Sequence, residues 1–240
     1  MRPRIGITTS VSPDPDTDGN PLRQLLDLRY VRAVEAAGGL PLPVPVLASD
    51  EAAEDFAALL DGLVVIGGPA VERGMVGERP DDLDPTDPAR TASDERILRF
   101  FLRNDETRPV LGICYGMQLM CALRGGRIWA DVEAQQPGTL VHSGGRGGVP
   151  HPVDTVTGSA ARALFGERFR SNTHHVQAVD PERPGDGLAV SGRAPDGVVE
   201  VVESGDGRLV GVQFHPERMA EVGAPVFRSL VERAAAARRG

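Results

Sequence analysis

A cysteine framed by glycines at the end of an apolar run is the strongest chemical signal in this chain. In Pro-Val-Leu-Gly-Ile-Cys-Tyr-Gly-Met-Gln-Leu (109–119), Gly112 and Gly116 stand two residues to either side of Cys114. Val110, Leu111 and Ile113 read as the end of a buried strand, and Met117, Leu119, Met120 and Leu123 continue at helical spacing. A thiol at such a strand-to-helix junction sits at the apex of a tight, strained turn, the geometry of a Gly-x-Ser-x-Gly elbow with sulfur in place of oxygen. It also lies at a helix N-terminus, where the positive end of the macrodipole favours the thiolate. Cys114 is therefore a candidate nucleophile. Alone the pattern is weak, because buried cysteine is also a common small core residue.

A nucleophilic thiol needs a base to take its proton and a group to orient that base. Of the five histidines, His142, His151, His174, His175 and His215, only His215 follows a segment strong enough to be a central strand (210–214). Pro216 biases His215 towards an extended conformation, so the imidazole projects from the strand end, and Glu217 can return to the far ring nitrogen. A third apolar run, 61–66, stops at Gly67-Gly68, and backbone N–H groups near Gly68 and at Tyr115 could stabilise an oxyanion. A Cys elbow, a His-x-Glu about a hundred residues later and a strand ending in Gly-Gly are much less expected by chance together than singly.

The elements that must position these groups follow from periodicity. Residues 4–8 predict a first strand, 12–21 a Pro/Asp/Gly loop, and 22–37 a helix with Leu22, Leu26, Tyr30, Val34 and Ala37 along one face, ended by Gly38-Gly39. A proline-bearing edge strand (42–46) and a helix (51–60) come next. The 61–66 run reads as a strand buried on both faces, as in a parallel sheet. Residues 69–92 form an aperiodic loop, 91–104 a helix, and then comes the Cys114 strand. This β-α alternation predicts an α/β fold: a doubly wound, mostly parallel sheet with flanking helices. The second half is polar and rich in Gly and His, with a strand at 153–156, a flexible loop at 143–148, a small antiparallel pair (188–191 and 198–203), the 210–214 strand and a closing helix over 224–238. No repeat or linker interrupts it, so 1–240 reads as a single domain.

Composition narrows the function classes. A formal charge of −8 disfavours nucleic acid and anionic membrane as generic partners. There is no run of eighteen apolar residues and no signal-peptide core at the N-terminus, so a cytoplasmic location is expected. The two cysteines, Cys114 and Cys121, form neither a disulfide framework nor a metal site; no cofactor and no metal are expected. Cys121, two turns along the helix from Cys114, reads as core. Lysine is absent, a coding bias more than a functional signal.

These residues carry a family resemblance. Gly-Ile-Cys-Tyr-Gly-Met-Gln (112–118), Gly-Val-Gln-Phe-His-Pro-Glu (211–217) and Ile-Gly-Gly-Pro (66–69) resemble the class I glutamine amidotransferase superfamily, which has a flavodoxin-like sheet. Within it, the chain from about residue 4 to 232 is similar to the stand-alone γ-glutamyl-γ-aminobutyrate hydrolase-like branch, the peptidase C26 family. The opening Ile-Gly-Ile-Thr, Tyr30 to Gly39, Gly158-Ser, Leu164-Phe-Gly166, Asn172 to Val179 and Asp196 to Glu200 carry that likeness. The resemblance implies a triad of Cys114, His215 and Glu217 acting through a γ-glutamyl thioester, with an oxyanion hole from the backbones of Gly68 and Tyr115. It implies that Gln118 contacts the glutamyl moiety, although Gln118 could be an ordinary solvated helix residue. By the same carry-over His175 and Gln177 lie on the substrate-facing segment, although either could cap or brace a loop. The hydrolase branch usually has Arg after the nucleophile, an Asp-containing segment after its glycines and His-His-Gln further on. Here these read Tyr115, Pro69-Ala70 and His175-Val176-Gln177, so the amine half of the substrate stays open.

Three readings compete: a hydrolase acting alone on a small γ-glutamyl-amine, a glutaminase subunit feeding ammonia to a separate synthetase partner, and a degenerate binding module, which the intact Cys/His/Glu set disfavours. Oligomeric state is open, a homodimer included.

Overall fold

Four segments, Arg4–Ile7, Gly62–Val65, Val110–Ile113 and Leu209–Val212, are almost wholly buried, as strands covered by helices on both faces must be. A computed structural model describes residues 1–14, 22–103 and 106–238. In chain order, β1 (Arg4–Ile7) is followed by a hairpin of β2 (Ser10–Pro13) and β3 (Leu22–Leu25), then α1 (Leu28–Ala36), β4 (Leu40–Pro43), α2 (Asp50–Ala58) and β5 (Gly62–Val65). A two-residue strand β6 (Met75–Val76), α3 (Pro88–Phe101), β7 (Val110–Ile113), α4 (Tyr115–Leu123), β8 (Ile128–Trp129) and α5 (Val132–Gln135) come next. The chain continues through β9 (His151–Thr155), α6 (Ala160–Phe165), β10 (Arg168–Ser171), β11 (Ala178–Val179), β12 (Leu188–Arg193), β13 (Val199–Ser204), β14 (Leu209–Val212) and α7 (Ala220–Ala237).

The large sheet has the order β10-β9-β12-β13-β14-β7-β5-β1-β4. From β14 to β4 every pairing is parallel, and from β14 outward to β10 every pairing is antiparallel. One apolar core joins the sheet to α2, α3 and α4, and a second joins its other face to α1, α6 and α7. The strand order reverses around β1 and β5, where doubly wound sheets leave a crevice beyond the carboxyl ends. Thr8, Gly67, Cys114 and His215 all lie just past such ends.

Several elements differ from the sequence expectation. The helix predicted from residue 22 begins only at Leu28: Asp27 accepts from the Arg29 N–H and caps it, while Leu22–Leu25 pairs with Ser10–Pro13. Residues 15–21 of the predicted 12–21 loop, and Asn104 of the predicted third helix, lie outside the described residues. The third helix starts at Pro88, with Asp87 as its cap and proline in its first turn. The closing helix starts four residues early, at Ala220. The predicted 69–92 loop is ordered by long-range contacts: β6 pairs with β8, Ala70 bonds with Asp84, and Arg73 pairs with Glu95. The glycine-rich 143–148 segment, expected to be flexible, is tied by Arg146 to Asp82 and Asp131. The antiparallel pair is one part of a four-strand extension, because β9 and β10 join it.

The packing of α4 on the sheet depends on two close approaches. A Cβ on Gly116 would fall on the carbonyl oxygen of Val65, and one on Gly112 would sit 2.7 Å from the carbonyl oxygen of Gly116. Gly116→Ala is therefore expected to push α4 off β5 and to destabilise the fold by about 3 kcal/mol, the upper end for overpacking because backbone cannot rotate away. Urea unfolding checks this: a loss below about 0.5 kcal/mol would show that the helix has room.

Candidate active site

Cys114 is the one described non-glycine residue with a left-handed φ, +50° with ψ −106°. Such a conformation costs about 1–3 kcal/mol and persists only where its surroundings over-determine it. Here Cys114 N–H donates to Val212 O at 2.8 Å, its carbonyl accepts from Gln118 N–H at 3.1 Å, and the two glycines let strand and helix close around it. Cys114 is 6% exposed and stands at the N-cap position of α4. Cys121, in the same helix, is fully buried, and burial pushes its thiol far above the usual range.

His215 faces this thiol. Burial alone would lower its pKa, but hydrogen bonding to Cys114 and then to Glu217 outweighs burial and raises it from 6.5 to about 9. Glu217 Oε1 lies 2.7 Å from His215 Nδ1, which leaves Nε2 for the sulfur. The turn Pro216–Arg218 that makes this return possible is a single 3₁₀ turn. Three residues outside the predicted set hold the imidazole. Asn172 brackets the His215 backbone, donating from Nδ2 to its carbonyl and accepting its N–H through Oδ1, both at 2.9 Å. The Tyr30 hydroxyl accepts from Gly67 N–H at 3.3 Å and faces Glu217; burial, then that carboxylate, pushes the phenol above its ordinary range. Gly67 must be glycine, since a Cβ there would stand 2.5 Å from His215 Cε1.

Gly68 lies just past the end of β5, and Tyr115 is the first residue of α4, where an N–H has no partner within the helix. The Gly67-Gly68 strand end is held by Arg90, which is 1% exposed. Its guanidinium donates to Gly67 O at 2.9 Å, Ile66 O at 3.3 Å and Ser10 Oγ at 3.1 Å, pairs with Asp94 at 3.2 Å, and lies 4.6 Å over the Tyr115 ring. Burial raises Asp94 to about 6 even against the pull of Arg90. Sequence carried one sign of this assembly, an Arg and Asp four apart on a helix, but that spacing is common on solvated faces.

The predicted substrate-binding residues are placed differently from one another. Gln118 is buried rather than solvated, and its amide donates to Gln177 O at 3.0 Å and Gln213 Oε1 at 3.1 Å. Gln177 braces the 69–92 segment: its Oε1 accepts from Val71 N–H at 2.7 Å and its Nε2 donates to Val71 O at 2.9 Å. His175 turns into the protein, with Nδ1 at 3.0 Å from Gln177 O and Nε2 towards the buried Glu200. The neighbouring His174 is the exposed one, edge-on to His215 with ring centroids 5.9 Å apart. Burial, then the charge of His215, lowers its pKa. Among the described residues, the donors grouped closely enough for a metal are His142, His175 and Glu200.

The sheet and its crevice are those of the class I glutamine amidotransferase fold: a Thermoplasma acidophilum structure provisionally named as part of a GMP synthase superposes with a TM-score of 0.67 at 16% identity, covering 100% of this chain and 97% of that one. The family model for peptidase C26 matches residues 3–217, and the chain belongs to that family. It is 32% identical over 206 residues to the γ-glutamyl-γ-aminobutyrate hydrolase PuuD of Escherichia coli, covering 81% of this chain and 79% of that protein. A Mycobacterium tuberculosis protein provisionally named a glutamine amidotransferase is 33% identical over 214 residues, 85% of this chain and 66% of its own length. No helix among the described residues is long and apolar enough to cross a membrane.

The His215 environment makes a pH prediction. Its folded pKa of about 9 lies above the ordinary 6.5, so the stability contributed by the imidazolium is complete below about pH 6.5 and is lost as pH rises through 9. In Glu217→Gln the His215 resonance is expected to titrate at lower pH, and the stability contributed by protonation to end correspondingly earlier. NMR titration of the ring checks this, and an unchanged midpoint would remove Glu217 as the cause.

Proposed function

We propose that this chain is a cysteine-dependent hydrolase that cleaves the amide bond of a small γ-glutamyl-amine, releasing glutamate and the free amine. One observation carries the reading: a thiol on a strained elbow meets an imidazole whose far nitrogen is 2.7 Å from a buried carboxylate. The Cys114 thiolate attacks the γ-carbonyl carbon, and the N–H groups of Gly68 and Tyr115 receive the developing oxyanion. The imidazolium of His215 gives its proton to the leaving nitrogen, and a γ-glutamyl thioester forms as the C–N bond breaks. His215, now neutral, takes a proton from water, whose oxygen attacks the thioester; collapse breaks the C–S bond, returns the Cys114 thiolate beside the imidazolium and releases glutamate. Glu217 holds the tautomer throughout.

The amine half faces a different surface. A cleft of about 630 Å³ beside the Gly67-Gly68 strand end is bordered by Ser10, Pro69 and Arg90 and by the carboxylates of Glu72, Asp84 and Asp87. Arg90 is buried and paired with Asp94, so the accessible charge is acidic. Such a cleft suits a cationic amine better than the carboxylate of a γ-glutamyl-amino acid. The two readings of the resemblance differ in partner dependence, and Tyr115 after the nucleophile is the residue that speaks for a glutaminase subunit.

In the isolated chain, Cys114→Ala is expected to lower glutamate release by about 10⁴-fold or more while leaving the circular dichroism spectrum unchanged; removing His215 costs about as much and Glu217→Gln less, since such residues act as a unit. Wild-type-like turnover in Cys114→Ala would refute the assignment, and ammonia release from glutamine only beside a synthetase would turn it to the glutaminase reading. Across a panel, γ-glutamyl-diamines are expected to show lower KM than γ-glutamyl-γ-aminobutyrate, with the gap narrowing in Glu72→Gln/Asp84→Asn and in high salt. The opposite order of KM would remove the acidic cleft as the amine site.

A further inference from the structure

Behind the segment that holds His215, three histidines converge on one carboxylate. Glu200, on β13, is 0% exposed, and His151 Nε2, His175 Nε2 and His142 Nδ1 lie 3.0, 3.4 and 3.7 Å from its Oε1. The His142 ring is 4.8 Å, centroid to centroid, from each of the other two. Only His151 makes a hydrogen bond to the carboxylate; His142 Nδ1, His175 Nε2 and Glu200 Oε2 are buried with no hydrogen-bond partner.

The outer nitrogens decide what the inner ones present. His142 Nε2 is 2.8 Å from Asp196 Oδ2 and His175 Nδ1 is 3.0 Å from Gln177 O, both pure acceptors, so each of these nitrogens carries the hydrogen. In the neutral rings the inner nitrogens are then bare lone pairs, aimed at a carboxylate that has lone pairs of its own. Lone pairs converge in this way when a cation sits between them. A proton on either ring would be expected to draw it into an aligned hydrogen bond, and neither makes one.

We infer that His142 Nδ1, His175 Nε2 and a carboxylate oxygen of Glu200 form a binding site for a divalent transition ion of the zinc class. Their mutual spacing, all within 4.8 Å, suits the tetrahedron edge of about 3.3 Å that follows from bonds of about 2.0–2.1 Å after a small inward adjustment. Imidazole with carboxylate and no thiolate selects zinc, cobalt or nickel over calcium or magnesium. The supporting contacts are those metal sites use: a carboxylate and a backbone carbonyl fix the two ligand tautomers, and His151 orients the carboxylate. His142 lies beside the exposed Val141, so displacement of the 140–149 loop opens an entry path. The ion would tie that loop, β13 and the 172–177 segment together, and Asn172 and His174 of that segment touch His215. This site is separate from the chemistry proposed above and stands or falls without it.

The test uses the full chain carrying Cys114→Ala, so that no metal is held by the catalytic thiol. After chelator treatment and dialysis, titration with Zn²⁺ against a chromophoric chelator is expected to give one tight site per chain. Co²⁺ is expected to show visible d–d absorption without a thiolate charge-transfer band. Glu200→Gln and His175→Gln should each weaken Zn²⁺ affinity by about 100-fold or more, and Asp196→Asn, which keeps every ligand, by roughly 10–100-fold. Failure to retain metal, or affinity unchanged in Glu200→Gln, would overturn the site. If the Glu200 variant does not fold, the stoichiometry and the Asp196→Asn affinity still decide.

Discussion

The closeness of α4 to β5 is the constraint on which the Cys114 end of this protein depends. Only a glycine at 116 lets the helix pass against the Val65 carbonyl, and only with the helix there can the chain reverse at Cys114 in a left-handed conformation. The strain is held by ordinary forces: a hydrogen bond to β14, burial of Met117, Leu119 and Met120, and two strands packed on both faces. Because Cys114 and His215 follow neighbouring parallel strands, β7 and β14, sheet register itself sets their separation. Strand ends, not a long loop, bring the thiol to the imidazole.

Around that frame, buried charge is used to fix backbone. Arg90 directs its donors to carbonyls and to Asp94, and so locks the Gly67-Gly68 turn in place. Lysine could not do this, since one ammonium cannot reach carbonyls, hydroxyl and carboxylate in a planar fork while lying over Tyr115. Tyr30 performs a parallel task from the opposite side, joining Gly67 to the neighbourhood of Glu217. The Gly67-Gly68 turn and the neighbourhood of the His215–Glu217 pair are thus braced through one strand end.

Much of this was legible in local pattern. The runs at 61–66 and 110–113 and the Gly-x-Cys-x-Gly spacing describe strands and an elbow because burial and φ/ψ demand are local properties. The strand–His-Pro-Glu string was legible for the same reason: proline restricts its neighbour whatever the tertiary context. Local pattern misled where partners are distant. Leu22 and Leu26 share helical spacing with Tyr30, yet pairing with residues 10–13 draws 22–25 into a hairpin. The 69–92 segment has no periodicity because long-range contacts with Gln177, β8 and Glu95 help to order it.

The sequence by itself determined the central strands, the elbow and the His-x-Glu turn, because each is set by residues within a few positions of one another. Tertiary structure decided the roles of the remaining polar groups. His174 and His175 are adjacent in sequence and indistinguishable in composition, but the folded chain sends one to His215 and the other to Glu200. Gln118 and Gln177 became braces, and Asn172, Tyr30 and Arg90 became supports, by contacts 23 to 106 residues away in the chain. Side-chain chemistry is local, whereas what a buried donor meets depends on how the whole chain closes on itself.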